Sequence, residues 1–322
     1  MSGRRWFGWD AAIIVVAVLA LVVASVAVER FASERNFGFL VLDLLPIALI
    51  ALPMTFIVIT GEIDLSVAST LGLTSAAMGS LWDSGLSIEM IIPVCVLLGA
   101  VLGAVNGVFV TVFKLPSLAV TIGTLALFRG LALVVLGDGA VADFPAAFTS
   151  WVTGSGINVL ILLIVLAAMF TVVLHATPIG RAVFAAGAND QAARFSGVRV
   201  DRLKFWLFVV SGAVAGLAGV LWTLRYSSAR ADNGLGLELA VVAAVLLGGV
   251  SIFGGKGTMP GVLAGVLLLA TLQNALRLLD VTNEALNIVT GALLIVSVLL
   301  PNISRSIRTA AQRRRRRAVP NP

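Results

Sequence analysis

FLVLDLLPIALIALPMTFIVITGEIDLSVASTLGLTSAAMGSL, residues 39 to 81, holds two apolar runs separated by one polar turn. The first run, 39–59, is long enough to cross a bilayer as a helix, which takes about 20 apolar residues. The second, 64–81, follows almost at once. Neither run alternates apolar with polar residues, so the strands of a membrane β-barrel are excluded. Between them, Thr60 to Ser69 reads TGEIDLSVAS and places Glu62 and Asp64 beside Gly61 and Ser66. Two carboxylates at a glycine break imply a helix interrupted at or near membrane depth, lining a cavity or vestibule. The same residues also fit a short interfacial loop in which Asp64 caps the next helix. Both readings stay open on sequence grounds, and they are compatible.

The pattern repeats along the chain. Further runs lie at 11–28, 90–112, 117–137, 157–174, 205–224, 236–252, 259–279 and 285–300, each bounded by charge, proline or glycine. The sequence therefore predicts an all-α polytopic membrane protein with about ten transmembrane helices. Composition agrees: 59% of the 322 residues are apolar and only 12% charged, against about 25% charged in soluble domains. The mean hydropathy is +1.07. An ordinary soluble enzyme, a disordered chain and a disulfide scaffold are all excluded. Cys95, alone and in an apolar run, can form no internal disulfide. In the first run, Ala24 to Ala27 resembles a signal-peptidase site and Arg4-Arg5 a twin-arginine signal, but the basic start is equally explained as an orienting charge.

With ten spans, one side receives Arg4, Arg5, Lys114, Arg181, Arg194, Arg199, Arg202, Lys204, Lys256, Arg305, Arg308 and Arg313 through Arg317. The other receives Arg30, Arg35, Arg225 and Arg230, while Arg129 and Arg277 fall inside spans. The positive-inside rule then puts both termini in the cytoplasm. The tail at 313–317 faces anionic lipid, and the net charge of +6 needs no nucleic-acid partner. The chain divides into a membrane unit, 1–304, with a loop at 175–204, and a basic tail, 305–322. The longest external connection is 138–156. No soluble domain is present to bind nucleotide.

Polar residues inside spans are costly and therefore informative. They include Asn106, Arg129, Asn274 and Arg277. Arg129 stays protonated, so it must face water, a carboxylate or backbone carbonyls; structural pairing and ligand contact are both open. Arg277 and Asp280 stand three apart and are expected to pair. Gly99, Gly103 and Gly107 form a small ridge, as do Gly212 with Gly216 and Gly261 with Gly265, which suits close helix packing. His175 is the only histidine and is read as a helix-end residue. No zinc site, catalytic pair or protease signature appears. GGKGT, Gly254 to Thr258, fails the phosphate-loop pattern and is read as a tight turn.

Within the loop, Asn189 is a good helix N-cap, Asp190 suits the first turn, and Gly197 supplies a left-handed stop after Ser196. Two turns of helix carrying Ala192, Ala193 and Phe195 would face the cytoplasm, as a docking knob or as a helix lying on headgroups.

This loop is similar to the coupling region of sugar-type permeases of ATP-binding-cassette importers, the ribose permease family. The resemblance continues through TGEIDLSVAS, LPSLAVTIGTLALFRGLA from Leu115, and SSARADNGLGLELAVVAAVLLGGVSIFGGKGT from Ser227. It covers nearly the whole chain. The family usually has a glycine where Glu62 stands, and often a second at Ala68. Within it, the chain looks most like permeases of rhamnose and autoinducer-2 importers. The resemblance implies the importer-permease fold and a non-enzymatic subunit with no cofactor of its own. ATP would bind partner subunits, which would dock at Gly187, Asn189, Asp190, Ala192, Ala193, Phe195 and Gly197. A second copy or sister permease would complete the pathway. An external binding protein would deliver a monosaccharide, and the location would be the bacterial cytoplasmic membrane. Glu62, Asp64, Ser66, Asn106, Arg129 and Asn274 are the candidates for the pathway or its gate. A secondary transporter driven by an ion gradient and an intramembrane enzyme are the competing classes.

Overall fold

A computed structural model describes residues 7–154, 156–282, 284–297 and 299. The expected Arg4-Arg5 start and the basic tail 305–322 lie outside the described residues. Each of the ten apolar runs carries a helix within its described residues. They form α1 (Phe7–Ala27), α2 (Glu34–Ile59), α3 (Val67–Asp83), α4 (Ile88–Thr111) and α5 (Ser117–Leu136). After a two-residue strand β1 (Ala140–Val141) come α6 (Ala146–Thr153), α7 (Ile157–Ala176), α8 (Pro178–Ala188) and α9 (Asp190–Phe195). Then follow α10 (Val200–Tyr226), β2 (Ala229–Arg230), α11 (Leu237–Leu247) and α12 (Met259–Leu278), and a last apolar helix α13 (Glu284–Ser297).

Seven of these helices, α1, α2, α4, α5, α7, α10 and α12, are long and apolar enough to cross a membrane. The runs at 64–81, 236–252 and 285–300 give shorter helices. In α11 the cause is local: Gly236 enters it and Gly249 leaves it in left-handed conformations, so only eleven residues stay helical. Such a helix is about 17 Å long, well short of the roughly 30 Å hydrocarbon layer.

Helix α2 is the axis of the bundle, and 89% of its apolar window is buried. It carries Pro46 and Pro53 and packs against α10, α12, α11 and α7. Helices α1, α5 and α7 surround the bundle and keep apolar faces outward, with Val23, Val134 and Ile164 exposed. Outward apolar faces are what a lipid solvent permits. Helix α1 packs on α12 through Ile13, Ala17, Ala264 and Leu268, and Trp9 donates a hydrogen bond to the Leu247 carbonyl.

The glycine ridges meet each other. A Cβ on Gly99 would collide with the Gly212 carbonyl oxygen, one on Gly103 with that of Phe208, and one on Gly216 with that of Cys95. Helices α4 and α10 therefore cross backbone against backbone. Gly261 and Gly265 bring α12 equally close to Gly248 and Ala244 at the end of α11. At the C-terminal end of α10, β1 pairs antiparallel with β2, with Ala140 opposite Arg230. This ties the 138–156 connection to the one after α10.

Two expectations are corrected by tertiary contacts. Arg277 pairs with Asp43 of α2, at 2.8 Å, not with Asp280. Asp43 also binds Arg225, so one carboxylate serves cations from α10 and α12. Asp43 is the one charged residue in the run 39–59, and a lone carboxylate at that depth calls for a cation beside it. The N-cap residue of α3 is Ser66 and not Asp64, although the Asp64 carboxylate does accept from the Ser66 N–H at the helix start. His175 ends α7 as expected and accepts a hydrogen bond from the Met259 N–H at 3.2 Å. Gly254 to Thr258 forms a turn whose Gly255 N–H donates to the Ile59 carbonyl.

Candidate functional site

Helix α2 stops because Gly61 takes φ +83° and the Glu62 N–H returns to the Ile57 carbonyl at 3.1 Å, a six-to-one helix-end bond. The chain then runs unpaired to α3, and side chains from three helices satisfy it. From α5, Ser117 accepts from the Ile63 N–H at 3.1 Å and Thr121 donates to the Ile63 carbonyl at 3.2 Å. Asp64 is 1% exposed. It accepts from the Ser66 N–H at 3.0 Å, the Ser66 hydroxyl at 2.6 Å and the Ser211 hydroxyl of α10 at 3.3 Å. Asn106 of α4 donates to Ser66 Oγ at 2.7 Å, and its own buried Oδ1 finds no partner among the described residues. The Ser66 proton is already given to Asp64, so its oxygen can only accept, which sets the orientation of the Asn106 amide.

Toward the end of the bundle that carries α9, charge replaces hydroxyls. Lys204 Nζ lies 2.6 Å from Glu62 Oε1 and 3.3 Å from Asp190 Oδ2. Arg194 binds Asp190 and grips Asp201 with two bonds of 2.7 Å. Lys114 also pairs with Asp201. Three carboxylates thus alternate with three cations, from Glu62 through Lys204, Asp190, Arg194 and Asp201 to Lys114. Burial alone would raise the Asp190 carboxyl, but the Arg194 hydrogen bond and nearby Lys204 hold it below the usual carboxylate range. Asp201 and Asp190 in turn hold the Arg194 proton more tightly than usual.

Helix α9 is built as its sequence predicts. Asn189 Oδ1 accepts from the Ala192 N–H at 2.9 Å, Gly197 has φ +86°, and the Val198 N–H closes on the Ala193 carbonyl at 3.0 Å. The connection also contains α8, with Thr177 capping it through the Gly180 N–H. Phe195 is 93% exposed and Ala193 only 3%. Ala193 packs inward against Ala186 and Val200, which corrects the expectation that it is presented outward. Gly187 also faces inward, because a Cβ there would strike the Ile59 carbonyl. Ala192, Asn189 and Gly197 are exposed.

Of the candidate pathway residues, the fold joins Asp64, Ser66 and Asn106 directly and sets Glu62 at the mouth of the same segment. Arg129 belongs to a separate clamp. Its guanidinium donates to the carbonyls of Ala231 at 2.8 Å, Asn233 at 2.9 Å and Ala68 at 3.3 Å. Asn274 is remote from both: it exchanges two hydrogen bonds with Asn36, at 2.9 and 3.2 Å. A cavity of about 370 Å³ between α4, α6, α7 and α10 is lined by Ile92, Phe148, Trp151 and Leu221 and contains none of these polar groups. Nothing local marks Lys204 or Ser211 as site residues, since their partners in the segment 60–66 lie 142 and 147 residues away.

Residues 36–298 match the family described as branched-chain amino acid transport system / permease component. The ribose import permease protein RbsC of Haemophilus influenzae is 39% identical over 263 residues, covering 79% of this chain and 81% of that protein. The autoinducer 2 import system permease protein LsrD of Yersinia enterocolitica is 33% identical over 313 residues, covering 94% and 95%. Its Escherichia coli counterpart is 35% identical over 311 residues, 94% of each chain. No solved structure matches the chain.

Proposed function

The chain belongs to this family of transport permease components, and from that premise we propose that it is the membrane subunit of an ATP-binding-cassette importer for a monosaccharide or related small polyol. The observation that carries the reading is likeness to ribose and autoinducer-2 import permeases over 79% to 94% of the chain. Rhamnose gains no support from these relatives. In this reading the chain crosses the bacterial cytoplasmic membrane about ten times, with both termini inside. The seven long helices cross outright, and the runs 64–81, 236–252 and 285–300, each a shorter helix with its flanking residues, make up the remaining crossings. Residues 1–304 act as one membrane unit and 305–322 as a basic tail against anionic lipid.

Energy comes from outside the chain. Two ATP-binding subunits dock on the coupling helices of the two permeases, here α9, and ATP is held by those subunits, with no cofactor on the permease. A second permease copy or a sister chain completes the pathway, and an external binding protein delivers the solute. Phe195 is the natural anchor of the docking surface. A phenylalanine left 93% exposed on a capped helix is the kind of aromatic that buries into a partner's pocket. Movement of α9 then reaches the segment 60–66, where Asp64, Ser66 and Asn106 gate or line the route.

Replacing Phe195 with Asp tests the assignment. Its side chain makes no buried contact, so the thermal melt in detergent should hold, while co-purification with the ATP-binding subunit and uptake should both be lost. Normal assembly and uptake by that variant would remove α9 as the docking site. Uptake that survives loss of the ATP-binding subunit but collapses with a protonophore would replace the whole reading with an ion-driven transporter.

A further inference from the structure

Helix α9 has six residues, too few to stand alone. What holds it is the start of α10. Arg194 grips Asp201 with two bonds, Ala193 packs on Val200, and Arg194 also binds Asp190 within α9. Helix α9 and the first turn of α10 therefore form one unit. Among the described residues, the ion pair that joins this unit to the interrupted segment 60–66 is made by Lys204. Its ammonium sits between Glu62 of the segment and Asp190 of α9. The Lys204 side chain is 12% exposed and that of Glu62 17%, so this pair is screened less than a surface pair.

Ser211 is seven residues beyond Lys204. Two helical turns return to the same face about 10 Å along the axis, and there Ser211 bonds Asp64. One face of α10 thus holds the segment at two points, by charge at its mouth and by a hydroxyl deeper in. The segment passes the contact on to α4 through Asn106 and to α5 through Ser117 and Thr121.

We infer that Lys204 is the positioning residue that transmits displacement of α9 to the segment 60–66. Lysine suits this task. Its compact charge has three donors and can serve two carboxylates at once, and its four-carbon stem lets the ammonium follow both as the helices slide. Without it, Glu62 and Asp190 face each other as like charges. Without Glu62, the Lys204–Asp190 pair still braces α9 but the segment is released. The two losses should therefore differ.

This inference rests on the importer reading, so the experiment has two arms. In proteoliposomes holding the full transporter, Glu62→Gln should leave assembly, melting temperature and ATP hydrolysis near wild type. Solute moved per ATP should fall about tenfold, a size typical of coupling between sites. Lys204→Met should lower the same ratio and Lys204→Arg should restore it. Parallel loss of hydrolysis and uptake, or no change in the ratio, would overturn the link. The second arm needs no partner: amide exchange at residues 61–66 of the isolated chain should rise in Lys204→Met and not in Lys204→Arg. Unchanged exchange there also overturns it. If the wild-type chain recruits no ATP-binding subunit but exchange responds as stated, the importer reading falls and the tie between Lys204 and the segment stands.

Discussion

Helix α10 meets its neighbours in two opposite ways. Against α4, glycines bring backbone onto backbone, and a Cβ added at Gly99, Gly103, Gly212 or Gly216 would strike a carbonyl oxygen. Against the segment 60–66 it extends a long cation and a hydroxyl across to two carboxylates. The first contact has no slack, because repulsion between atoms rises steeply and the interior is already close-packed. The second has slack, because an ion pair weakens slowly with distance and the lysine stem is flexible. A bundle that must change shape while staying closed needs both. The glycine crossing keeps α4 and α10 together, and the charged contact lets the segment between α2 and α3 adjust.

The hardest test of this contrast is at the crossing. Gly212→Leu should cost upward of about 3 kcal/mol, since it forces two backbones apart. Folded yield and the detergent melt should both collapse. Gly130, on α5 with nothing near its Cβ position, is the control; Gly130→Ala should be neutral or stabilise by up to about 1 kcal/mol. Equal tolerance at both positions would break the contrast.

Arg129 stands between the two kinds of contact, polar yet fixed in geometry. Arg129→Met should destabilise by about 2 to 3 kcal/mol because carbonyls of Ala68, Ala231 and Asn233 lose their donor. Arg129→Lys should recover only part of this, since a point charge cannot span three carbonyls. Full recovery by lysine, read from the same melt, would assign Arg129 to the adaptable class.

The smallest effect belongs to the half-exposed middle of the charge chain. Asp190 is held below its ordinary value of 3.8 by Arg194 and Lys204, against the opposing push of burial. A depressed carboxylate contributes stability that is present above its unfolded pKa and is lost as pH falls through the folded value. The bracing of α9 should therefore be constant from neutral pH to about pH 4 and weaken below it. Asp190 is 39% exposed, so solvent screening limits Asp190→Asn to a few tenths of a kcal/mol, about what exposed pairs contribute. The variant should flatten the acid limb of exchange protection across α9 and leave the neutral limb nearly unchanged. A flat wild-type profile down to pH 3 would contradict this account.

What was legible in the sequence was local. The ten apolar runs became helices, and Asn189 with Gly197 bounded α9 because capping and left-handed turns depend on neighbours along the chain. The glycine ridges announced close crossings, since four-residue spacing lines one helix face. What failed was anything that needed a partner's position. Arg277 was matched with Asp280 by spacing, whereas Asp43, far away in sequence, was the better partner in space. Ala193 and Phe195 lie on one short helix, and nothing in their spacing tells which of them faces inward. Lys204 counted only as one more basic residue in a loop.

By itself the sequence determined that the chain is a membrane protein, where its ten apolar helices lie and how the short helix α9 is capped, but not that α6 and α8 form in the connections. It could not determine which apolar helix is central. Lipid and protein interior are equally apolar, so hydropathy does not separate the two surroundings. Helix α7 is the most apolar of the long helices and only 28% of its apolar window is buried, while α2 is 89% buried. Glycine contact, hydrogen bonding to the broken segment and paired charges chose between them, and those exist only once the helices have met.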